Sequence, residues 1–243
     1  MAEHTNSTVE PNIGFVGLGV MGEPMCLNLA KKTRSKVIGF DLFPDPLERL
    51  AEEGVARAES LEYLADQCEL IFLSLPDGEA VKSVCCRPDG LVAHMKASST
   101  LVDMSTSPVG LTRELAAQCQ ERHIDFADAP VARTREAAIR GDLSVMVGCD
   151  ATLFDRLLPV LKLMGSDVTH CGEVGSGQIM KILNNMVLFQ NVCALTEAIA
   201  VARRNSVNLD TLLSVLSKGS GDSFALRNHG IKSMLPRIFP SRA

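Results

Sequence analysis

The stretch that decides the fold reads Ile13-Gly14-Phe15-Val16-Gly17-Leu18-Gly19-Val20-Met21-Gly22. An apolar run ends at Gly17, a helical pattern follows Gly22, and a second apolar run closes at Asp41. A G-x-G-x-x-G sequence between a strand and a helix, with an acid about 20 residues further on, indicates a dinucleotide-binding βαβ unit. The cofactor-binding residues predicted here are Gly17, Leu18, Gly19, Val20, Met21, Gly22 and Asp41.

Each part of this fingerprint has a physical task. Gly17 makes the tight turn, Gly19 lets backbone amides approach a pyrophosphate, and Gly22 lets the helix press on the sheet. The phosphates then meet the positive end of the helix. Asp41 can accept hydrogen bonds from a ribose diol but repels a 2′-phosphate, and Leu42-Phe43 adds no basic residue after it. We therefore predict NAD as the cofactor rather than NADP.

Apolar runs and helical patterns continue to alternate as far as Asp128. Such alternation predicts an α/β fold with a Rossmann-type, doubly wound parallel sheet. Ligands of these sheets bind beyond the carboxyl ends of the strands, so the residues at those ends should line one crevice. The predicted strand ends are Gly17, Asp41, Leu75-Pro76, Ser105-Thr106 and Asp128-Ala129-Pro130-Val131.

A run without Gly or Pro extends from Gln178 to Arg204 and predicts a helix of roughly 40 Å. Its apolar residues cover nearly the whole circumference, which predicts burial on most sides. A membrane span is the alternative, but six polar or charged side chains interrupt the run and disfavour it. Lys181 and Asn185 lie four residues apart on one helix face. The spacing alone leaves open whether Lys181 extends to solvent or is held in a cleft for chemistry.

Composition excludes several classes of protein. The net charge of −5 does not favour nucleic acid or an anionic membrane as a partner. Eight cysteines without CxxC spacing and five scattered histidines predict neither a disulfide framework nor a metal site. Residues 1–12 are polar, lack the apolar core of a signal peptide and are predicted to form a loose tail. These features together predict a cytoplasmic protein.

Five motifs follow one another along the chain: the glycine fingerprint, Asp103-Met104-Ser105-Thr106, Asp128-Ala129-Pro130-Val131, Gly141-Asp142-Leu143 and Gly175–Asn185. In this order they resemble the β-hydroxyacid dehydrogenase family. The resemblance implies a Rossmann domain over residues 13–174 and an all-helical domain over residues 175–243. It also implies that Lys181 is catalytic, that Asn185 positions substrate, and that Leu75, Pro76 and Thr106 flank the nicotinamide. The implied activity is NAD-dependent interconversion of a small anionic 3-hydroxy acid and its semialdehyde, in a homo-oligomeric dimer or tetramer.

Two departures from the family pattern qualify this expectation. The family's Ser-Gly-Gly turn is replaced by Ala132-Arg133-Thr134, which we predict to contact substrate. The planar fork of Arg133 suits carboxylate, sulfonate or phosphate oxygens, and Arg-Thr resembles the sulfolactaldehyde reductase branch. A surface arginine is the alternative interpretation.

The second departure is the end at Ala243, where the family continues with a helix that carries a Lys-Asp pair. The helical domain is therefore expected to be incomplete. Three hypotheses follow: the 3-hydroxy acid dehydrogenase, a reductase of a sulfonated or phosphorylated aldehyde with Arg133 as anion clamp, and a catalytically idle cofactor-binding or oligomerisation module.

Overall fold

The structure, a computed structural model, describes residues 11–237. It falls into two compact units, residues 1–181 and 182–243. Most of the predicted tail at residues 1–12 lies outside the described residues. The predicted domain boundary after residue 174 is seven residues earlier than the end of the first unit at Lys181. The difference arises because the beginning of the long helix is hydrogen-bonded to the strand ends.

The first unit contains a sheet flanked by helices. Its strands are β1 (Ile13–Val16), β2 (Val37–Phe40), β3 (Ala56–Arg57), β4 (Leu70–Leu73), β5 (Thr100–Asp103), β6 (Asp125–Asp128), β7 (Val131–Ala132), β8 (Leu143–Gly148) and β9 (Gly165–Gly172). Its helices are α1 (Gly22–Lys32), α2 (Pro44–Ala51), α3 (Leu61–Gln67), α4 (Gly78–Cys85), α5 (Leu91–His94), α6 (Val109–Glu121), α7 (Arg135–Arg140) and α8 (Ala151–Leu161). The long helix α9 (Ser176–Arg204) begins in this unit and ends in the second, which also contains α10 (Leu209–Lys218) and a π-helix (Leu226–Met234).

The strand order is β3-β2-β1-β4-β5-β6-β8-β7, with β9 on the other side of β8. The first six strands are parallel and follow the 3-2-1-4-5-6 order of a dinucleotide-binding sheet, which confirms the predicted fold class. Because the order reverses between β1 and β4, a crevice opens at their carboxyl ends. Beyond β6, the last strand predicted from the sequence, the sheet becomes mixed, since β8 pairs antiparallel with both β6 and β7.

Alternate strand residues enter two separate cores, one on each face of the sheet. Phe15 and Phe72 pack on one face, whereas the adjacent residues Val16 and Ile71 pack on the other. Each strand must therefore be apolar on both faces, which is why these strands read as continuous apolar runs. All eight cysteines are free, and five of them are buried in these cores.

The prediction that α9 is buried on most sides is wrong. Phe189 is 62% exposed, and the other large apolar side chains that are at least 39% exposed on this helix are Ile179, Met180, Ile182, Leu183, Met186, Val187 and Val201. In the second unit, the small core contains Leu195 and Ile199 of α9, and α10 and the π-helix pack only against that side. Among the described residues no other element of this unit is available to cover the remaining faces.

By length and composition α9 could cross a membrane, with a mean hydropathy of 1.4. Its first turn argues against a span, because the Gln178 side chain is fully buried and hydrogen-bonded to residues at the end of β5. We therefore regard α9 as a helix of a globular domain.

The glycine turn generates the first prediction. A Cβ at Gly22 would overlap the Gly17 carbonyl oxygen, whereas a Cβ at Gly19 meets nothing within 4 Å. Gly22→Ala should therefore destabilise the protein by about 1–3 kcal/mol, as overpacking does. Gly19→Ala should change stability by less than about 0.5 kcal/mol, because this position is open.

The two variants should also differ in their affinity for NADH. Gly19→Ala should weaken NADH binding by about tenfold or more, because its methyl group occupies the space that a pyrophosphate approaches. Thermal unfolding and fluorescence titration with NADH measure the two effects. Equal loss of stability in both variants would contradict the distinction.

Candidate active site

The glycine turn and Asp41 form one rigid corner. Gly17 has a φ of +89°, and the following Leu18 amide donates a hydrogen bond of 2.5 Å to Asp41 Oδ2. Asp41 Oδ1 accepts a second bond, of 2.9 Å, from the Phe43 amide. The Leu18 side chain is fully buried, so this residue contributes to a cofactor site only through its backbone.

This corner fits a dinucleotide. The side of Gly19 is open, and Gly19 lies just before the positive end of α1, which favours a phosphate group there. Asp41 lies at the end of β2, where a ribose would follow the pyrophosphate. The residues that would hold the cofactor are thus Gly19, Val20, Met21 and Gly22 through their backbone, and Asp41 through its carboxylate.

The ends of β4 and β5 adjoin the same corner. The Leu75 amide donates a 2.9 Å hydrogen bond to Ser105 Oγ, and the Leu75 side chain lies beside Gly17. Pro76 and Thr106 are exposed at these strand ends. The structure thereby brings Leu75 next to the glycine turn, and the roles of Leu75, Pro76 and Thr106 toward a nicotinamide stay predictions.

A fully buried carboxylate, Asp103, organises the loop after β5. It accepts hydrogen bonds of 2.9 Å from the Ser105 amide and the Ser107 hydroxyl. Burial raises the pKa of Asp103, and the hydrogen bonds from Ser105 and Ser107 oppose that rise. Ser105 and Ser107 are held in place by this carboxylate and are also buried.

A second buried carboxylate, Asp128, lies at the end of β6 and holds the beginning of α9. It accepts hydrogen bonds from the Gly175 amide at 2.7 Å and the Gln178 amide at 2.8 Å. Burial raises its pKa, whereas the two amides favour the charged form. The Gln178 side chain in turn donates to the Ser105 carbonyl at 2.9 Å and accepts from the Ser107 amide at 3.1 Å.

Lys181 follows one turn later. Its ammonium group donates a 2.6 Å hydrogen bond to the Val131 carbonyl, and its side chain is partly buried. Burial lowers the pKa of Lys181 from its ordinary value. Of the two interpretations that spacing left open, the contacts favour a lysine held at the strand ends, where a proton can be exchanged.

The turn Ala132–Thr134 has an unusual backbone. Arg133 has a φ of +86°, a left-handed conformation that disfavours residues other than glycine. Its guanidinium donates to the Asp142 carboxylate at 3.1 Å and to Ser166 Oγ at 2.9 Å, and it forms an ion pair with Asp167. The fork predicted to clamp a substrate anion is therefore engaged by two carboxylates of this chain.

The remaining predicted site residue, Asn185, lies in the second unit, four residues after Lys181 on the same helix. Its role stays a prediction. The sequence placed Asp128 among the crevice-lining strand ends and Gln178 at the beginning of the long helix, but it did not reveal that the two residues are hydrogen-bonded to each other. A signal was present, since each is a polar residue flanked by an apolar strand or helix, but their partners are distant in sequence.

Comparisons with known proteins agree with this geometry. Residues 12–172 match the family model described as the NAD-binding domain of 6-phosphogluconate dehydrogenase. Residues 175–243 match the model described as NAD-binding of NADP-dependent 3-hydroxyisobutyrate dehydrogenase.

Individual relatives point the same way. The 2-(hydroxymethyl)glutarate dehydrogenase of Eubacterium barkeri is 35% identical, over 88% of this chain and 71% of that protein. The 3-hydroxyisobutyrate dehydrogenase of Pseudomonas aeruginosa is 36% identical, over 88% of this chain and 72% of that protein. A Mycobacterium tuberculosis 3-hydroxyisobutyrate dehydrogenase structure with L-serine has a TM-score of 0.82 at 31% identity, covering 96% of this chain and 76% of that one. The chain therefore belongs to the β-hydroxyacid dehydrogenase family, with 3-hydroxyisobutyrate dehydrogenase among its relatives, and is an NAD(P)-dependent oxidoreductase acting on CH–OH groups.

Proposed function

We propose that this protein interconverts a small anionic 3-hydroxy acid and its semialdehyde, with NAD as the hydride carrier and Lys181 as the acid/base. The observation that carries the proposal is the partly buried amine of Lys181, held 2.6 Å from the Val131 carbonyl at the strand ends. A lysine with a lowered pKa can give and take a proton near neutral pH more readily than an exposed one.

The chemistry divides between cofactor and protein. A bound nicotinamide supplies the acceptor or donor of the hydride at its C4 carbon. In the oxidation direction the neutral amine of Lys181 takes the hydroxyl proton while the hydroxyl-bearing carbon loses its hydride and becomes a carbonyl. In the reduction direction the ammonium form returns that proton to the developing alkoxide, which it also stabilises electrostatically.

The proposed substrate class rests on what the relatives are named for. 3-Hydroxyisobutyrate and 2-(hydroxymethyl)glutarate both carry a hydroxymethyl group on the carbon next to a carboxylate. We place the carboxylate at the backbone of the turn Ala132, Arg133 and Thr134 and at the Thr134 hydroxyl, and not at the Arg133 guanidinium, which is already held by other side chains. We assign Asn185 to the substrate oxygen. The turn suits this task because it directly follows Val131, whose carbonyl contacts Lys181.

The two other hypotheses have less support. A sulfonate or phosphate clamp would need Arg133 to leave Asp142, Asp167 and Ser166, its present partners. An idle module would not need a lysine held at the strand ends. We extend the proposal to a cytoplasmic homo-oligomer, a dimer or tetramer, with no nucleic-acid or membrane partner, in keeping with the mild negative charge.

The catalytic assignment of Lys181 is tested by Lys181→Met, which keeps the aliphatic stem and removes the amine. Turnover, kcat, should fall by about 10²- to 10⁴-fold, the usual contribution of general acid–base catalysis. Affinity for NADH should stay within about twofold, because the glycine turn is untouched. Nicotinamide absorbance with 3-hydroxyisobutyrate, 2-(hydroxymethyl)glutarate and L-serine measures the first quantity.

Lys32→Met is the matched control. Lys32 also donates to a backbone carbonyl, that of Leu163 at 2.8 Å, but it lies in the last turn of α1, away from the glycine end of that helix. It should keep full kcat. A Lys181→Met protein with wild-type kcat would refute the assignment, and NADH binding without turnover in the wild-type chain would support the idle module.

Cofactor choice depends on Asp41. NADH should bind more tightly than NADPH by about tenfold or more, since a repulsion worth about 1.4 kcal/mol between the carboxylate and a 2′-phosphate has that effect. Asp41→Asn should reduce the preference for NADH over NADPH. Asp45 is an exposed acid in the first turn of α2, and Asp45→Asn should leave that preference unchanged. Titration of both nucleotides against the three proteins decides the point, and equal affinities in the wild type contradict it.

Arg133 has a separate test. Because its guanidinium is held by Asp142, Asp167 and Ser166, we expect Arg133→Ala to lower the thermal midpoint and leave kcat/KM within about threefold. Arg133→Gly should be more stable than Arg133→Ala, because glycine accepts a φ of +86° without strain. A loss of about 2–4 kcal/mol in kcat/KM at unchanged stability would instead establish the anion clamp.

A further inference from the structure

The first two turns of α9 are held from two strand ends at once. From the end of β6, the Asp128 carboxylate binds the amides of Gly175 and Gln178. From the end of β5, the backbone of Ser105 and Ser107 binds the side chain of Gln178. Lys181 is the next residue on that helix face, three positions after Gln178.

We infer that Asp128 and Gln178 are positioning residues that fix where the Lys181 amine lies. The inference rests on the proposed role of Lys181 as the acid/base. Asp128 and Val131 belong to one short segment, and this segment contacts α9 at both ends: a carboxylate on its first amides and a carbonyl on Lys181. Gln178 prevents the helix from rotating about its own axis between these two contacts.

The chemistry of Asp128 is specific. A carboxylate has two acceptor oxygens, and here each accepts one amide at the positive end of a helix. An asparagine would have to direct its NH₂ group at one of those amides, so one of the two bonds would be lost. The carboxylate also packs closely against the helix backbone, since a Cβ at the adjacent Gly177 would lie 2.8 Å from Asp128 Oδ2.

Gln178 is equally constrained. Its carbonyl oxygen accepts from the Ser107 amide, and its NH₂ group donates to the Ser105 carbonyl. Only a side-chain amide of this length satisfies both, since a carboxylate cannot donate. In Gln178→Glu, a carboxylate oxygen therefore faces the Ser105 carbonyl oxygen, so this hydrogen bond is replaced by repulsion while the side chain keeps its size.

Loosening these contacts has a consequence beyond stability. A displacement of about 1 Å at a catalytic group can cost 10²-fold in rate. Burial is the cause of the lowered Lys181 pKa, so an amine released toward water should titrate at higher pH. The carboxylates on the strand ends packed against these turns are Asp103 and Asp128, and both are occupied by hydrogen bonds.

The experiment measures Lys181 directly. Competitive acetylation across a pH series, read by mass spectrometry, reports the midpoint at which its amine becomes reactive, with or without turnover. In Gln178→Met and Asp128→Asn, neither of which adds a negative charge beside Lys181, we expect this midpoint to move up by at least about half a pH unit. The kcat should fall about 10- to 100-fold, and NADH affinity should stay within about twofold.

The control is Asp150→Asn. Asp150 caps α8 by accepting from the Leu153 amide at 3.0 Å, so this substitution also alters a helix cap in the first unit. It should leave the Lys181 midpoint and kcat unchanged. If Asp128→Asn does not fold, Gln178→Met carries the test. A folded Gln178→Met protein with an unmoved Lys181 midpoint would overturn the inference.

The results distinguish a failure of this inference from a failure of the catalytic role proposed for Lys181. Acetylation of Lys181 reports its position whether or not Lys181 is catalytic. A moved midpoint with unchanged kcat, alongside an active Lys181→Met protein, would reject the catalytic role and with it the inference that this positioning serves catalysis. An unmoved midpoint alongside an inactive Lys181→Met protein would reject only the inference.

Discussion

The first unit depends on a charge that it buries: the Asp128 carboxylate at the end of β6. A carboxylate without solvent is unfavourable unless donors surround it, and the beginning of α9 provides two amides together with the positive end of a helix. This requirement joins the sheet to the helix more strictly than apolar packing could. It also explains why the compact unit ends at Lys181 and not where the helix begins. The contacts that satisfy the charge are the ones that hold the lysine.

The same sheet fixes the other half of the site. The strand order reverses between β1 and β4, so the glycine turn and the ends of β4 and β5 lie side by side at one edge. Leu75 connects them, with its side chain beside Gly17 and its amide on Ser105. Ser105 in turn accepts from the Gln178 side chain. The dinucleotide corner and the lysine are therefore linked by consecutive hydrogen bonds and packing contacts, and no mobile loop is needed to bring them together.

Features that depend on residues close together in the sequence could be predicted from it. The long helix begins at Ser176, two residues before the predicted Gln178, and ends at Arg204 as predicted. The sequence could not predict the antiparallel pairing of β8, which depends on which neighbour a strand finds, or the exposure of α9, which depends on what packs against it. Arg133 was identified for its chemistry, but its partners Ser166 and Asp167 lie more than thirty residues away. Buried polar residues such as Gln178 are hardest to predict, because only their partners distinguish them from ordinary helix residues.

If Lys181 is the acid/base, as proposed, its contact with the backbone of Val131 separates proton transfer from substrate recognition. A carbonyl group offers the same acceptor whatever side chains follow it, so the residues of the next turn can change without displacing the amine. This turn indeed has an arginine in a left-handed conformation, at a cost of about 1–3 kcal/mol, and ion pairs to Asp142 and Asp167 hold it there. The ion pairs that offset this strain are made with Asp142, just before β8, and with Asp167 in β9, and not with α9. On the proposed roles, the turn that faces substrate can therefore change while Asp128 and Gln178 keep the lysine in its position.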